Sequence, residues 1–248
     1  AINGWQANHL ELAVLCQEAE NKYVGVNCGL MDQFACANGV ADHALSFDTR
    51  SFEWKPVPLP ANTRIVIADS GVRRTLATSA YNDRRAACEE AVRILQGPLP
   101  KIRDLRDVSP EDFNRYRDLL PENIYKRARH VVEECHRVDQ AIICLEQSNA
   151  EGFGKLMFAC HDSLRDYYEV SCPELDALVK AASQIPGCLG ARLTGAGFGG
   201  CTVNLVREEA VEPFIKALKE SYLITCQRNA EIFASRASQG VHVESVDC

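Results

Sequence analysis

The stretch GARLTGAGFGGCTVNLV, residues 190–206, decides how the fold is read. Two strand-like runs, GARLTG and GCTVNLV, flank a segment in which glycine fills four of the six positions from Gly195 to Gly200. Glycine removes side chains where a backbone must turn sharply or approach something closely. A dinucleotide fingerprint places a helix after its glycines, and here a strand follows. A Walker loop ends in Lys-Ser/Thr, and this one does not. The pattern alone leaves a tight structural turn and a ligand-facing loop both open.

Working outward, EEAVEPFIKALKESY after this unit reads as a helix and AEIFASRA as a last strand. Before it lies a long helical region. SPEDFNRYRDLL begins with Ser109 as cap and Pro110 at the first helical position. PENIYKRARHVVEECHRVDQAIICLEQSN is the longest helix, with Ile124, Ala128, Val131, Cys135, Val138, Ile142 and Leu145 on one face. AYNDRRAACEEAVRILQ, AEGFGKLMFACHDSLRDYY and CPELDALVKAASQ add further helices, and TRIVIADSG reads as a buried strand. Near the start, HALSFDTRSFEWKPVPL reads as a hairpin that Pro56, Pro58 and Pro60 end, marking a domain seam. The opening helix places Leu10, Ala13, Cys16 and Ala19 on one face and shows no capped start, so the chain is expected to open partway through a fold. Strands at the start, helices in the middle and strands again at the end give an α+β protein.

At 248 residues, 46% of them apolar, the chain can bury a real core. Its net charge of −7, with both signs mixed along the sequence, argues against a nucleic-acid partner. No apolar run approaches the roughly 20 residues that span a bilayer, so no membrane partner is expected. The twelve cysteines are scattered and lack Cys-x-x-Cys pairs. That pattern fits reduced thiols in a cytoplasmic protein better than a disulfide framework. His130, Cys135 and His136 lack zinc-site spacing and read as helix positions.

Three stretches could carry chemistry. The glycine loop is the first. In VGVNCGLMDQFA, residues 24–35, Asp32 stands in the first turn of a short helix closed by Asn38 and Gly39, where the helix dipole favours negative charge. Gly29 leaves space beside it. Glu20 ends the preceding helix. In DSGVRRTLATSAYNDRRAACEE, residues 69–90, Arg73, Arg74, Arg84 and Arg85 bracket Tyr81, a hydroxyl within a cationic rim. Each also has an ordinary reading: a helix-start acid, a solvated glutamate, a solvated basic face.

Taken in order, ENKYVGVNCGLMDQFA, DSGVRRTLATSAYNDRRAACEE, KRARHVVEE, LRDYYEVSCPELDALV and GARLTGAGFGGCTVNLV resemble the galactokinases of the GHMP small-molecule kinase superfamily, from about Leu10 to Ser238. The resemblance implies the GHMP two-domain fold. The remainder of the N-terminal domain would occupy residues 1–57, and a ferredoxin-like-type C-terminal domain with extra helices residues 58–248. It implies ATP-dependent phosphorylation of galactose at its anomeric hydroxyl, with ATP and Mg2+ as cofactors and a monomeric protein. By the same resemblance Asp32 is the catalytic aspartate and Gly29 lies on the sugar-side backbone. Tyr81 hydrogen-bonds galactose, and Arg73 neighbours the sugar and the transferred phosphate. Glu20 is the magnesium-associated glutamate, and Gly195, Gly197, Gly199 and Gly200 shape the site floor near the phosphates. The family's first two motifs, which hold the sugar hydroxyls and cradle the ATP phosphates, are not found in this sequence. The 248-residue chain alone is therefore expected to be inactive, with uncovered apolar surface near residues 1–50. Alternatives are a non-catalytic galactose sensor, a kinase for N-acetylgalactosamine or arabinose, and a purely structural α+β module.

Overall fold

The computed structural model describes residues 8–25, 28–73 and 77–242, the first five of the last range (77–81) by backbone alone. The chain divides into two compact units, Ala1–Leu59 together with Arg236–Cys248, and Pro60–Ser235.

The first unit holds helix α1 (His9–Glu18), a π-helical continuation (Ala19–Val24), helix α2 (Met31–Asn38) and the strands β1 (His43–Phe47) and β2 (Trp54–Pro58). Contrary to the sequence expectation, α1 has a capped start. Asn8 Oδ1 accepts from the Glu11 amide at 2.8 Å while the Asn8 amide donates to Glu11 Oε2 at 3.0 Å. This reciprocal pair satisfies two otherwise orphaned donors. Only Ala13 of the expected α1 stripe is fully buried, and Cys16 and Ala19 are exposed.

The hairpin forms as β1 against β2, antiparallel from His43↔Pro58 to Phe47↔Trp54. Pro56 lies inside β2 and does not interrupt it, while Pro58 is its last residue. They are two residues apart in a two-stranded ladder, so their missing N–H groups fall on the side with no partner strand. The small core joins Ala13, Phe34 and Ala37 to Leu45 and Phe47. The Phe34 and Phe47 rings stack 3.7 Å apart, and Trp54 meets Phe34 edge-on at 5.8 Å. Leu15, Tyr23, Val24, Met31, Phe52 and Trp54 remain exposed on this unit.

The sequence drew one seam at residue 57 and kept the tail with the second domain. In the structure the chain returns to the first unit after Ser235. The Asp42 amide donates to Ala237 O, Gly240 to Gly39 O and Val241 to Cys36 O. The tail is held by backbone bonds, which leave no apolar period for a sequence reading to find.

The second unit is built on a four-stranded antiparallel sheet. Its strands are β3 (Thr63–Asp69), β4 (Cys188–Leu193), β5 (Cys201–Arg207) and β6 (Glu231–Ser235), in the order β4–β5–β3–β6. Between β3 and β4 run α3 (Ala77–Leu95), α4 (Pro110–Tyr116), α5 (Glu122–Glu146), α6 (Ala150–Ser163), a π-helical turn (Leu164–Tyr168) and α7 (Pro173–Gln184). Helix α8 (Val211–Cys226) joins β5 to β6. Ser109 caps α4 by accepting from the Asp112 amide, with Pro110 next, as its local sequence predicts.

Two cores result. Leu178 and Ala182 of α7 and Phe214, Leu218 and Tyr222 of α8 pack on Val66, Ala191, Val206 and Ile232 of the sheet. Leu95, Phe113, Ile124, Ala128 and Val132 fill the other, between α3, α4 and α5. Each large side chain so buried contributes about 1.5–3 kcal/mol. The α5 stripe holds at Ile124, Ala128 and Leu145, but Val138 is exposed, and Arg127, His130 and Val132 are also buried. Among the described residues no helix is long and apolar enough to cross a membrane.

Candidate active site

In the first unit, hydrogen bonds at Cys28 link the helical segment that carries Glu20 to the start of α2, which carries Asp32. Asn21 Oδ1 accepts from the Cys28 amide at 3.0 Å, and Gln17 Nε2 donates to Cys28 O at 3.1 Å. Gln33 Nε2 donates to Cys28 Sγ at 3.7 Å. Cys28 thus ties the residues flanking Glu20 to those flanking Asp32.

Asp32 sits in the first turn of α2, whose N-cap, Leu30, offers no side-chain acceptor to the orphan amides. The sequence places Asp32 among apolar letters, yet Asp32 is exposed. Phe34, Ala37 and Asn38 turn inward, and Asp32 lies on the opposite face. Around a Cβ built at Gly29, no atom of the described residues lies within 4 Å. Gly29 and Asp32 are thus both exposed among the described residues. Glu20 is likewise exposed on the π-helical segment.

In the second unit the glycine loop resolves the question its sequence left open, and it does so position by position. Gly197 (φ +79°) and Gly199 (φ +129°) are buried, and each needs its missing side chain. A Cβ at Gly197 would stand 2.0 Å from Val170 O, and one at Gly199 2.6 Å from Val72 O. The Phe198 amide donates to Val170 O at 2.7 Å and the Gly200 amide to Val72 O at 3.1 Å. Gly200 O accepts from the Ser70 amide at 3.0 Å and from Ser70 Oγ at 2.7 Å. Tyr222 Oη donates to Ser70 O at 2.8 Å, closing the support from below. These contacts make half of the loop structural.

Gly195 (φ +75°) is exposed, and the amides of Gly195 and Ala196 have no backbone acceptor among the described residues. Such a turn presents N–H groups to an anion. The loop lies against residues 70–72, and Arg73, which follows them, is exposed. Tyr81 belongs to α3, and its side chain lies outside the described residues. Arg74 is outside them as well.

Of the groups that hold the loop, the sequence points to Arg84 only as part of a cationic rim and gives Arg127 and His161 no role. Arg84 Nε donates to Tyr168 O at 2.6 Å and its Nη2 to Glu169 O at 3.0 Å. Arg127 donates to Tyr167 O and pairs with Glu169. That hydrogen bond holds the Glu169 carboxyl below the usual carboxylate range. His161, fully buried, accepts from the Leu193 amide through Nδ1 at 3.3 Å, and its Nε2 lies 3.2 Å from Asp176 Oδ1. Burial pushes the Asp176 carboxyl up, but hydrogen bonds from His161 and Ser171 outweigh it and leave it lowered. Of these, His161, Glu169 and Asp176 fall within the polar stretch HDSLRDYYEVSCPELD, and Arg84 and Arg127 lie far from it in sequence.

Family models agree with this geometry. Residues 1–40 match the model for the GHMP kinases N terminal domain, and residues 118–223 that for the GHMP kinases C terminal. A galactokinase from Roseiflexus sp. (strain RS-1) is 50% identical over 93% of this chain and 59% of its own length. The chain belongs to the GHMP kinases and is similar to their galactokinases. The human galactokinase is 44% identical over 93% of this chain and 57% of its own. The crystal structure of Lactococcus lactis galactokinase complexed with galactose superposes with a TM-score of 0.91 at 38% identity, covering 96% of this chain and 62% of that one. A mevalonate kinase from L. major, at 20% identity and TM-score 0.60, shares the fold. The chain thus spans about three fifths of the length of its galactokinase relatives.

Proposed function

We propose that this chain serves the ATP-dependent phosphorylation of galactose at its anomeric hydroxyl, giving galactose 1-phosphate, in a protein of full galactokinase length. The reading is carried by an exposed carboxylate, Asp32, at an uncapped helix start, with Gly29 exposed as well. The 38% identity to a galactokinase complexed with galactose supports the choice of sugar. The matches at residues 1–40 and 118–223 support reading the first unit as part of the GHMP N-terminal domain and Pro60–Ser235 as the C-terminal domain, with the tail after Ser235 returned to the first unit.

Phosphoryl transfer runs through a loose transition state, so catalysis is mostly positioning and charge neutralisation. Asp32 orients the anomeric hydroxyl and accepts its proton late in the transfer. Arg73 carries positive charge toward the transferred group, and Tyr81 hydrogen-bonds the sugar. The amides of Gly195 and Ala196 face the phosphates, while Gly197, Gly199 and Gly200 set that turn in place. ATP supplies the phosphoryl group. The Glu20 carboxylate is a hard, exposed oxygen donor that fits a Mg2+ ion otherwise held by phosphates and water. Among the described residues no disulfide joins the cysteines, and burial pushes the Cys160 and Cys188 thiols up to about 12. Unreactive thiols of this kind fit a monomeric protein of the reducing cytoplasm.

A panel of galactose, N-acetylgalactosamine and arabinose, each assayed for sugar-dependent ADP release in a protein of galactokinase length carrying this sequence, tests the proposal. Release with galactose above the other two supports it. A preference for another sugar overturns the substrate, and galactose binding without ADP release turns the reading toward a sensor.

A further inference from the structure

The motif between α6 and α7 has no part in the chemistry above, yet its backbone reaches both the glycine loop and α3. The chain of contacts is closed. Ser70 and Val72 bond to Gly200. Two residues back, the Phe198 amide bonds to Val170 O. The carbonyls just before Val170, those of Tyr168 and Glu169, are gripped by the Arg84 fork. Arg84 lies on α3, one turn beyond Tyr81. Val72, just before Arg73, and Arg84, one turn beyond Tyr81, are therefore tied to the same loop, Val72 through Gly200 and Arg84 through the Tyr168–Val170 turn.

The circuit holds a conformation that its residues would not choose. Glu169 (φ +54°) and Phe198 (φ +59°) are both left-handed without being glycine. Such backbone is disfavoured for a residue with a side chain and persists where its surroundings over-determine it. Here the surroundings are cations at the end of the π-helical turn. Arg84 takes two successive carbonyls, Arg127 takes the Tyr167 carbonyl and the Glu169 carboxylate, and Lys126 lies 3.6 Å from that same carboxylate. A guanidinium fork matches two adjacent carbonyls, and an ammonium offers only a point of charge.

We propose that Arg84 is a positioning residue: by fixing the Tyr168–Val170 turn it sets the glycine loop in register with the segment that bears Arg73 and Tyr81. The role assigned to those two residues rests on the function proposed above, but the mechanical coupling does not.

Amide hydrogen exchange on this chain tests the coupling directly, because exchange reads local opening. Arg84→Met keeps the stem and removes the fork. It should speed exchange at Phe198 and Gly200 about tenfold or more while the β5 amides from Val203 to Val206 change less than about twofold. Arg84→Lys, with one donor point in place of two, should fall between the parent and Arg84→Met. Unchanged exchange at Phe198, or equal acceleration through β5, overturns the proposal. If Arg84→Met does not fold, Gly197→Ala breaks the same circuit from the loop side. Its exchange increase should then be unaffected by adding Arg84→Lys, and additive effects count against the circuit.

In a protein of galactokinase length that releases ADP with galactose, Arg84→Lys should raise the galactose KM more than it lowers kcat. Equal loss in both would mark Arg84 as merely structural. A protein with no galactose turnover at all would defeat the proposed function and leave the exchange result standing.

Discussion

The glycine loop from Thr194 to Gly200 and the turn at Gly29 that leads into Asp32 both carry glycine, and the structure treats them in opposite ways. In the loop the amides of Phe198 and Gly200 and the carbonyl of Gly200 are taken up by neighbouring backbone, and two of the glycines are buried. Around the turn the carboxylates of Glu20 and Asp32 are exposed, and the space beside Gly29 is open among the described residues. A glycine can thus mark either a backbone pressed against its own protein or a clearing for something else. Only the surrounding atoms tell which.

Glycine substitutions separate the two cases most sharply. Gly197→Ala drives a Cβ to 2.0 Å from Val170 O at a positive φ, and neither backbone can retreat without breaking the Phe198 bond. A loss of about 3 kcal/mol or more by urea unfolding is expected.

The second effect belongs to the helical layer behind the loop. His130 is buried with Nδ1 2.9 Å from Ser163 Oγ, and burial pulls its pKa down to about 4 from 6.5. The unfolded chain binds a proton on this group over that interval and the folded chain does not, so stability falls as pH drops from about 6.5 towards 4. The loss should reach on the order of 2–3 kcal/mol in urea midpoints taken across that range. His130→Gln should flatten that part of the slope.

Gly29→Ala is the smallest. With no clash and no positive φ, it should leave stability unchanged or raise it by up to about 1 kcal/mol through the unfolded state. A large destabilisation there would erase the contrast with Gly197.

What the sequence made legible was whatever is decided locally. Ser109 and Pro110 carry the start of α4 within four residues, and the β1–β2 pairing follows from its own alternation. The Asn8–Glu11 box was equally local and was passed over because Asn8 does not stand out in AINGWQANHLEL. The π-helical segments Ala19–Val24 and Leu164–Tyr168 have no residue pattern of their own. Arg127 and His130 could not be read as buried, because Glu169 and Ser163, which satisfy them, lie over thirty residues away. The same holds for the loop: four glycines announce a constraint, but Val72 and Val170, which impose it, are distant in sequence. For the site, Asp32 and its helix start were readable from GLMDQF. That it faces outward, with Phe34 taking the core position, depended on the packing of Phe34 against Phe47.

The most direct test of the account is Asp32→Asn in a protein of galactokinase length carrying this sequence, followed by kcat for galactose-dependent ADP release and by Tm. The side chain is exposed and outside the core, so Tm should hold, while loss of the proton acceptor should lower kcat about a hundredfold or more. Turnover within twofold of the parent at an unchanged Tm would contradict the account and move the chemistry to another group.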